Sequence, residues 1–292
     1  MPTRANKVAI DAMTRPNALD AMLASHLNGI DAVTAALPAI DAGAGLMAAT
    51  IRAGGTLYYA AAGSSGLMAL ADASELAGTF RIPQDQIRIC MAGGVPADAH
   101  MPGDTEDDVS EAQAAARNVS AGDLVIAVSA SGTTPYVLAF AQAARDRDAK
   151  IVAISNTKAP TLSSLADVEI DLRTAPEVVS GSTRLAAATA QKVALNMIST
   201  QAGILLGHVH DGMMVNLNPE NIKLRKRAAN IVCKVADVDA QRAEAALQVS
   251  GYDTKLAILI AAGAEVDRAK ALLTTYAGSL RDCLPHVKQT TN

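Results

Sequence analysis

The sequence predicts an α/β protein with a mostly parallel sheet, followed by a small C-terminal helical bundle. Three observations carry that expectation. From Gly54 to about Leu206, short apolar runs of strand length alternate with Ala- and Leu-rich stretches of helical spacing. Such alternation implies right-handed crossovers and a parallel sheet. Gly stands with Ser or Thr at two strand-to-helix junctions and again where a long helix opens, and beyond Gly212 the strand signals stop.

In chain order, residues 18–53 read as two helices broken near Pro38. Gly54-Gly55 precedes the apolar run Thr56–Ala62, a strand, and Gly63-Ser64-Ser65-Gly66 leads into a helix reaching about Leu76. Ile87–Met91 is a second strand ending at Gly93-Gly94, with a helix around Val109–Asn118 after an acidic segment. Asp123–Val128 is the clearest strand. Ser129-Ala130-Ser131-Gly132-Thr133-Thr134 is its loop, and Pro135 suits the first turn of the helix Tyr136–Arg147. Lys150–Ile154 and Val168–Leu172 complete the strands, and a long helix runs from Arg184 to about Leu206. The tail reads as helices around Asn221–Val235, Asp239–Val249, Thr254–Ala262 and Glu265–Leu284. This gives a leader (1–53), a main domain (54–212) and a helical subdomain (213–292).

Composition excludes several functions. Half of the 292 residues are hydrophobic but only 2% are aromatic, with no Trp, so the core is aliphatic and no stacking platform for single-stranded nucleic acid is available. A net charge of −4 without a Lys/Arg run gives little attraction to nucleic acid or anionic lipid. Apolar stretches such as Leu256–Ala264 fall short of the roughly 20 residues of a membrane span. Met1–Ile10 lacks the pattern of a signal peptide. Cys90, Cys233 and Cys283 form no CxxC pair, and His208 and His210 have no third ligand nearby. A reduced, cytoplasmic protein without metal or nucleotide cofactor is expected.

The chemistry lies in the hydroxyl clusters. Ser64 and Ser65 sit between glycines, Ser129, Ser131, Thr133 and Thr134 surround Gly132, and Ser180, Ser182 and Thr183 surround Gly181. Helix N-termini offer unpaired N–H groups and partial positive charge, so such turns suit a phosphate. The same residue types also cap helices without any ligand. Three clusters in one α/β domain favour phosphate binding. No Walker Lys follows a glycine loop, which argues against triphosphate hydrolysis.

Gly63-Ser64-Ser65-Gly66 and Ser129-Ala130-Ser131-Gly132 resemble the sugar isomerase (SIS) domain. Asp72-Ala73-Ser74-Glu75, Ser129–Val137 and the stretch Gly181–Thr200 are similar to the N-acetylmuramic acid 6-phosphate etherase family. The resemblance continues through Asn221 and Lys223-Leu224-Arg225. It implies a three-layer SIS sandwich, a phosphorylated amino sugar as substrate, a place in cell wall recycling, and a homodimer, for which the long helix 184–206 is the candidate interface. It also implies loss of the D-lactyl ether from C3 by β-elimination and hydration. Glu75 is then the acid, and Glu106, in Gly103-Asp104-Thr105-Glu106-Asp107, is the base, with Glu177 near the sugar. Among Leu70, Leu76 and Ala77, Glu75 is expected to be partly buried, which would favour its protonated form. A solvated helical Glu75 and a solvated loop Glu106 are the plain alternatives.

Four positions depart from the family. Leu67 and Thr133 stand where it has Arg, Asn216 where it has Asp, and nothing before Asn17 matches its Thr-Glu-x-Arg-Asn segment. Each lost guanidinium removes up to five donors. An aldose–ketose isomerase and a sugar-phosphate sensor on the same fold are the competing readings.

Overall fold

The structure, a computed structural model, describes residues 8–101, 103–158 and 160–287. Most of Met1–Ile10, where the signal-peptide pattern was sought, lies outside them, as do the last five residues of the C-terminal subdomain.

Two helices lead in, α1 (Arg15–Val33) and α2 (Leu37–Arg52), separated by a tight helical turn at Thr34–Ala36. The first begins earlier than its periodicity indicates because Thr14 accepts from the Asn17 N–H and Pro16 occupies the first turn. Then follow β1 (Leu57–Ala61), α3 (Gly63–Phe80), β2 (Ile87–Met91), α4 (Val109–Ala115), β3 (Leu124–Val128), α5 (Pro135–Arg145), β4 (Lys150–Ser155), α6 (Pro160–Ser163), β5 (Val168–Asp171) and α7 (Ala186–Leu205). The five strands form one sheet in the order β2-β1-β3-β4-β5, every pair parallel. All residues of β1 and β3 are buried, as expected of strands covered on both faces.

One face of the sheet offers Tyr58, Ala60, Val125, Ala127, Ile151 and Ala153 to Val137, Phe140 and Ala141 of α5, with Ala112 of α4 beside them. On the other, α2 lies against β1, β3 and β5, and the bare Cα of Gly43 lets it approach Val152 and Ile170. The helical run Arg15–Arg52 contains an 18-residue window of mean hydropathy 1.4, long and apolar enough by composition to cross a membrane. This corrects the expectation that every apolar stretch is too short. Core helices pass the same test, and Ile40, Ala44, Met47 and Ala48 of α2 are buried in the protein.

The chain divides into two compact units, Met1–Ala73 with Ile87–Ile198, and Ser74–Gln86 with Ser199–Asn292, so α3 and α7 each contribute to both. The second unit contains a short hairpin, β6 (Val209–His210) and β7 (Met213–Met214), where no strand was expected beyond Gly212. Its turn, Asp211-Gly212, has positive φ at both residues, and Asp-Gly is a strong signal for such a turn. The tail helices are α8 (Ile222–Ala236), α9 (Ala240–Val249), α10 (Thr254–Ala261), α11 (Val266–Thr275) and α12 (Leu280–Cys283). Asn221, Asp239 and Asp253 cap the first three by accepting main-chain N–H bonds. The single helix expected over Glu265–Leu284 is broken, because Ala277 and Gly278 adopt left-handed φ values of 48° and 77°. Ile231, Val232, Leu247, Ile258, Leu259 and Leu280 are central to this unit's core.

Candidate active site

The strand order is that of a doubly wound sheet that reverses direction between β1 and β3, and ligands bind such sheets at the carboxyl ends of the strands there. Ala61 of β1 is in register with Val128 of β3 on one side and Met91 of β2 on the other. The turns after these three strands therefore share one edge, and the first two carry the predicted hydroxyls.

After β1 there is no loop. Gly63 starts α3 directly with φ +52°, a left-handed value that an L side chain rarely adopts, so Ser64 and Ser65 lie in the helix's first turn. Ser65 is buried and Ser64 half-buried. After β3 the hydroxyls form a bonded set. Ser129 Oγ accepts from the Gly132 N–H at 3.0 Å and pairs with Thr134 Oγ1 at 2.8 Å. Ser131 Oγ accepts from the Thr133 N–H at 3.2 Å and from its hydroxyl at 2.9 Å. The loop is thereby held in shape with Ser131 and Thr133 exposed, while Pro135 opens α5.

Glu106 joins this edge from the acidic segment. Its Oε1 lies against Gly63, where an added Cβ would collide with it. It lines a cleft of about 200 Å³ with Gly63, Gly93, Gly94, His100 and Gly103. The base candidate thus stands at the head of α3, against the glycine that precedes Ser64 and Ser65.

Glu75 is not brought there. It lies twelve residues beyond Gly63 on α3, about 18 Å along the axis at 1.5 Å per residue. It is exposed, contrary to the expected partial burial. Ala69, Asp72, Ala73 and Leu76 form the buried stripe of α3, and Glu75 falls off that stripe. The helix is anchored by Asp72, which accepts from Tyr59 Oη at 2.9 Å and Asn196 Nδ2 at 2.8 Å. Burial, with the Asp72 charge beside it, pushes the Tyr59 phenol well above its usual range and keeps it a donor.

The third cluster precedes its helix instead of opening it. α7 starts at Ala186, beyond Ser180, Ser182 and Thr183, and its end is capped by Glu177, whose carboxylate accepts from the N–H groups of Ala186 (3.2 Å) and Ala187 (3.0 Å). Ser25 Oγ also donates to it, at 3.4 Å. Sequence reasoning missed this role because the cap is reached across the loop, outside the usual three-residue spacing.

The departures also acquire places. Leu67 is half-buried in the first turns of α3, Thr133 donates within its own loop, and neither brings charge. Asn216 Nδ2 donates to the Phe80 carbonyl at 2.9 Å, a bond an ionised Asp could not make. Among the described residues, no three His, Cys, Asp or Glu side chains gather as metal ligands.

The parallel sheet and the serine-bearing turns at its carboxyl edge define a sugar isomerase-type phosphosugar-binding protein, and residues 25–156 match the SIS domain. Curated relatives extend over nearly the whole chain. An N-acetylmuramic acid 6-phosphate etherase of Erwinia tasmaniensis is 38% identical over 96% of this chain and 90% of its own length. One of Microcystis aeruginosa is 34% identical over 97% and 94%. Among solved structures, a phosphoheptose isomerase from Francisella tularensis aligns over 66% of this chain and 98% of its own, with TM-score 0.47 and 19% identity. The chain belongs to the N-acetylmuramic acid 6-phosphate etherase family.

Proposed function

We propose that this protein is an N-acetylmuramic acid 6-phosphate etherase, releasing D-lactate and N-acetylglucosamine 6-phosphate, and that it acts in cell wall recycling. The observation that carries the mechanism is Glu106 at the head of α3, in a cleft beside the serines suited to a phosphate. The 6-phosphate is bound by N–H groups and hydroxyls at the starts of α3 and α5, from Ser64, Ser65, Ser129, Ser131, Thr133 and Thr134. Ser180, Ser182 and Thr183 close the sugar's far side, and Glu177 serves the site indirectly by holding the end of α7.

With the sugar in its open aldehyde form, Glu106 removes the C2 proton. The C3–O bond breaks, and an acid delivers its proton to the departing lactate oxygen, leaving a C2=C3 double bond conjugated to the aldehyde. Water then adds at C3, giving its proton to the ionised acid, while Glu106 returns a proton to C2. Both carboxyl groups end as they began.

Glu75 is the acid in this reading, but C2 and C3 are bonded neighbours. The length of α3 between Gly63 and Glu75 is too great for one chain's pair to serve a single sugar. A second copy supplies Glu75, and the protein works as a homodimer. Support comes from exposed apolar side chains on two helices: Leu19, Leu23, Leu27 and Ile30 along one face of α1, and Met197, Ile204 and Leu205 on α7. The three free thiols fit a reducing, cytoplasmic compartment.

The test is incubation with N-acetylmuramic acid 6-phosphate in water enriched in heavy oxygen, read by mass spectrometry. The expected result is one heavy oxygen in N-acetylglucosamine 6-phosphate and none in D-lactate, with turnover lost in Glu106→Gln and Glu75→Gln. Intact substrate with the folded protein sinks the reading. Intact N-acetylmuramic acid 6-phosphate together with interconversion of a 2-hydroxy aldose phosphate and its ketose establishes an isomerase instead.

A further inference from the structure

The lactyl carboxylate has no partner in the site as described, because Leu67 and Thr133 carry no charge. Its position is nevertheless constrained by the chemistry. Four bonds separate C2 from the carboxylate carbon, through C3, the ether oxygen and one further carbon. The group therefore lies within roughly 5 Å of the carbon that Glu106 must reach. Two carboxylates that close repel, and without a cation each opposes the charged form of the other.

The cleft holding Glu106 offers one such group. Its lining is Gly63, the segment Met91–Ala97, His100, Met101, Gly103 and Glu106. Among the described residues lining it, Glu106 is the sole acid, and His100 is the sole side chain able to carry positive charge. Both line the same cleft of about 200 Å³. An imidazole donates an N–H bond whether neutral or charged, and as imidazolium it donates two. The loop presenting it is held by the Asp98 side chain, whose Oδ1 accepts from the His100 N–H at 2.7 Å. Its side chain is exposed at the cleft.

We propose that His100 is a specificity-determining residue that binds the carboxylate of the ether's leaving group, selecting acidic over neutral ethers. This assignment rests on the etherase reading and deepens it.

The test compares N-acetylmuramic acid 6-phosphate with its lactyl carboxamide on the intact protein, wild type against His100→Gln and His100→Lys, with circular dichroism verifying the fold. For the acid, His100→Gln is expected to lower kcat/KM on the order of 10- to 100-fold, the value of a hydrogen bond to a charged group. For the carboxamide the loss should stay below about threefold, and His100→Lys should restore most of the preference for the acid. A His100→Gln variant that loses nothing, or loses equally on both substrates, overturns the assignment and leaves the etherase reading standing. Wild-type protein that cleaves neither ether refutes the etherase reading, and the assignment falls with it.

Discussion

Removing the Glu177 carboxylate separates a structural role from a sugar-binding one. Its two oxygens accept from the first N–H groups of α7, at 3.0 and 3.2 Å, and that helix is 20 residues long. Losing a side-chain cap costs about 0.5–2 kcal/mol. Losing negative charge at a helix N-terminus costs about 0.3–1 kcal/mol more. Glu177→Ala is therefore expected to lose about 1–3 kcal/mol, or roughly 2–12 °C in Tm for a chain of this size. Glu177→Gln keeps one acceptor oxygen of the two and loses the charge, so it should fall between wild type and Glu177→Ala, losing about 0.5–2 kcal/mol. Urea denaturation followed by circular dichroism gives both values, and calorimetric titration with N-acetylglucosamine 6-phosphate reads the site. Capping requires graded stability loss with affinity within a few-fold of wild type. Unchanged stability with abolished binding in Glu177→Ala would refute the reasoning and make Glu177 a ligand contact.

Gly63→Ala places a methyl at φ +52° and against Glu106 Oε1. The left-handed backbone costs about 1–2 kcal/mol, and displacement of the base should lower kcat tenfold or more. Gly54→Ala, at φ +78° with open space around it, is the control and should share the stability loss with normal kcat. Equal kcat in the two variants would remove Glu106 from the chemistry. Lys255 gives a pH signature, since burial pushes its ammonium from 10.5 down to about 8. The unfolded chain holds that proton between these values and the folded chain does not, so the penalty grows as pH falls from about 10.5 and is complete below about 8. Lys255→Met should stabilise by about 3 kcal/mol at pH 7, an advantage that shrinks toward pH 10.5. A pH-independent difference between the two urea titrations would show that burial does not perturb Lys255.

Much was legible because it is local. The strands Leu57–Ala61 and Leu124–Val128 are short apolar runs between glycine-bearing turns, and hydrophobic runs of that length have few other ways to be buried. Asn221, Asp239 and Asp253 announce their helices through a cap set within three residues. The Asp211-Gly212 hairpin was equally local, hidden only by strands of two residues each.

Tertiary structure decided what depends on residues far apart in the chain. A one-dimensional pattern placed Glu75 among apolar neighbours, but helical geometry turns it away from the stripe of Asp72 and Leu76, leaving it exposed. Glu106 reaches Gly63 only because β2 pairs with β1 and brings the turn after Met91 to that edge. Glu177 caps a helix that starts nine residues later, a spacing no helix-start rule contains. By itself the sequence determined the parallel α/β architecture and the phosphate-type turns, because periodicity and capping act over a few residues. Which carboxylates share a cleft was left to the strand order, since only the packed sheet brings such distant turns together.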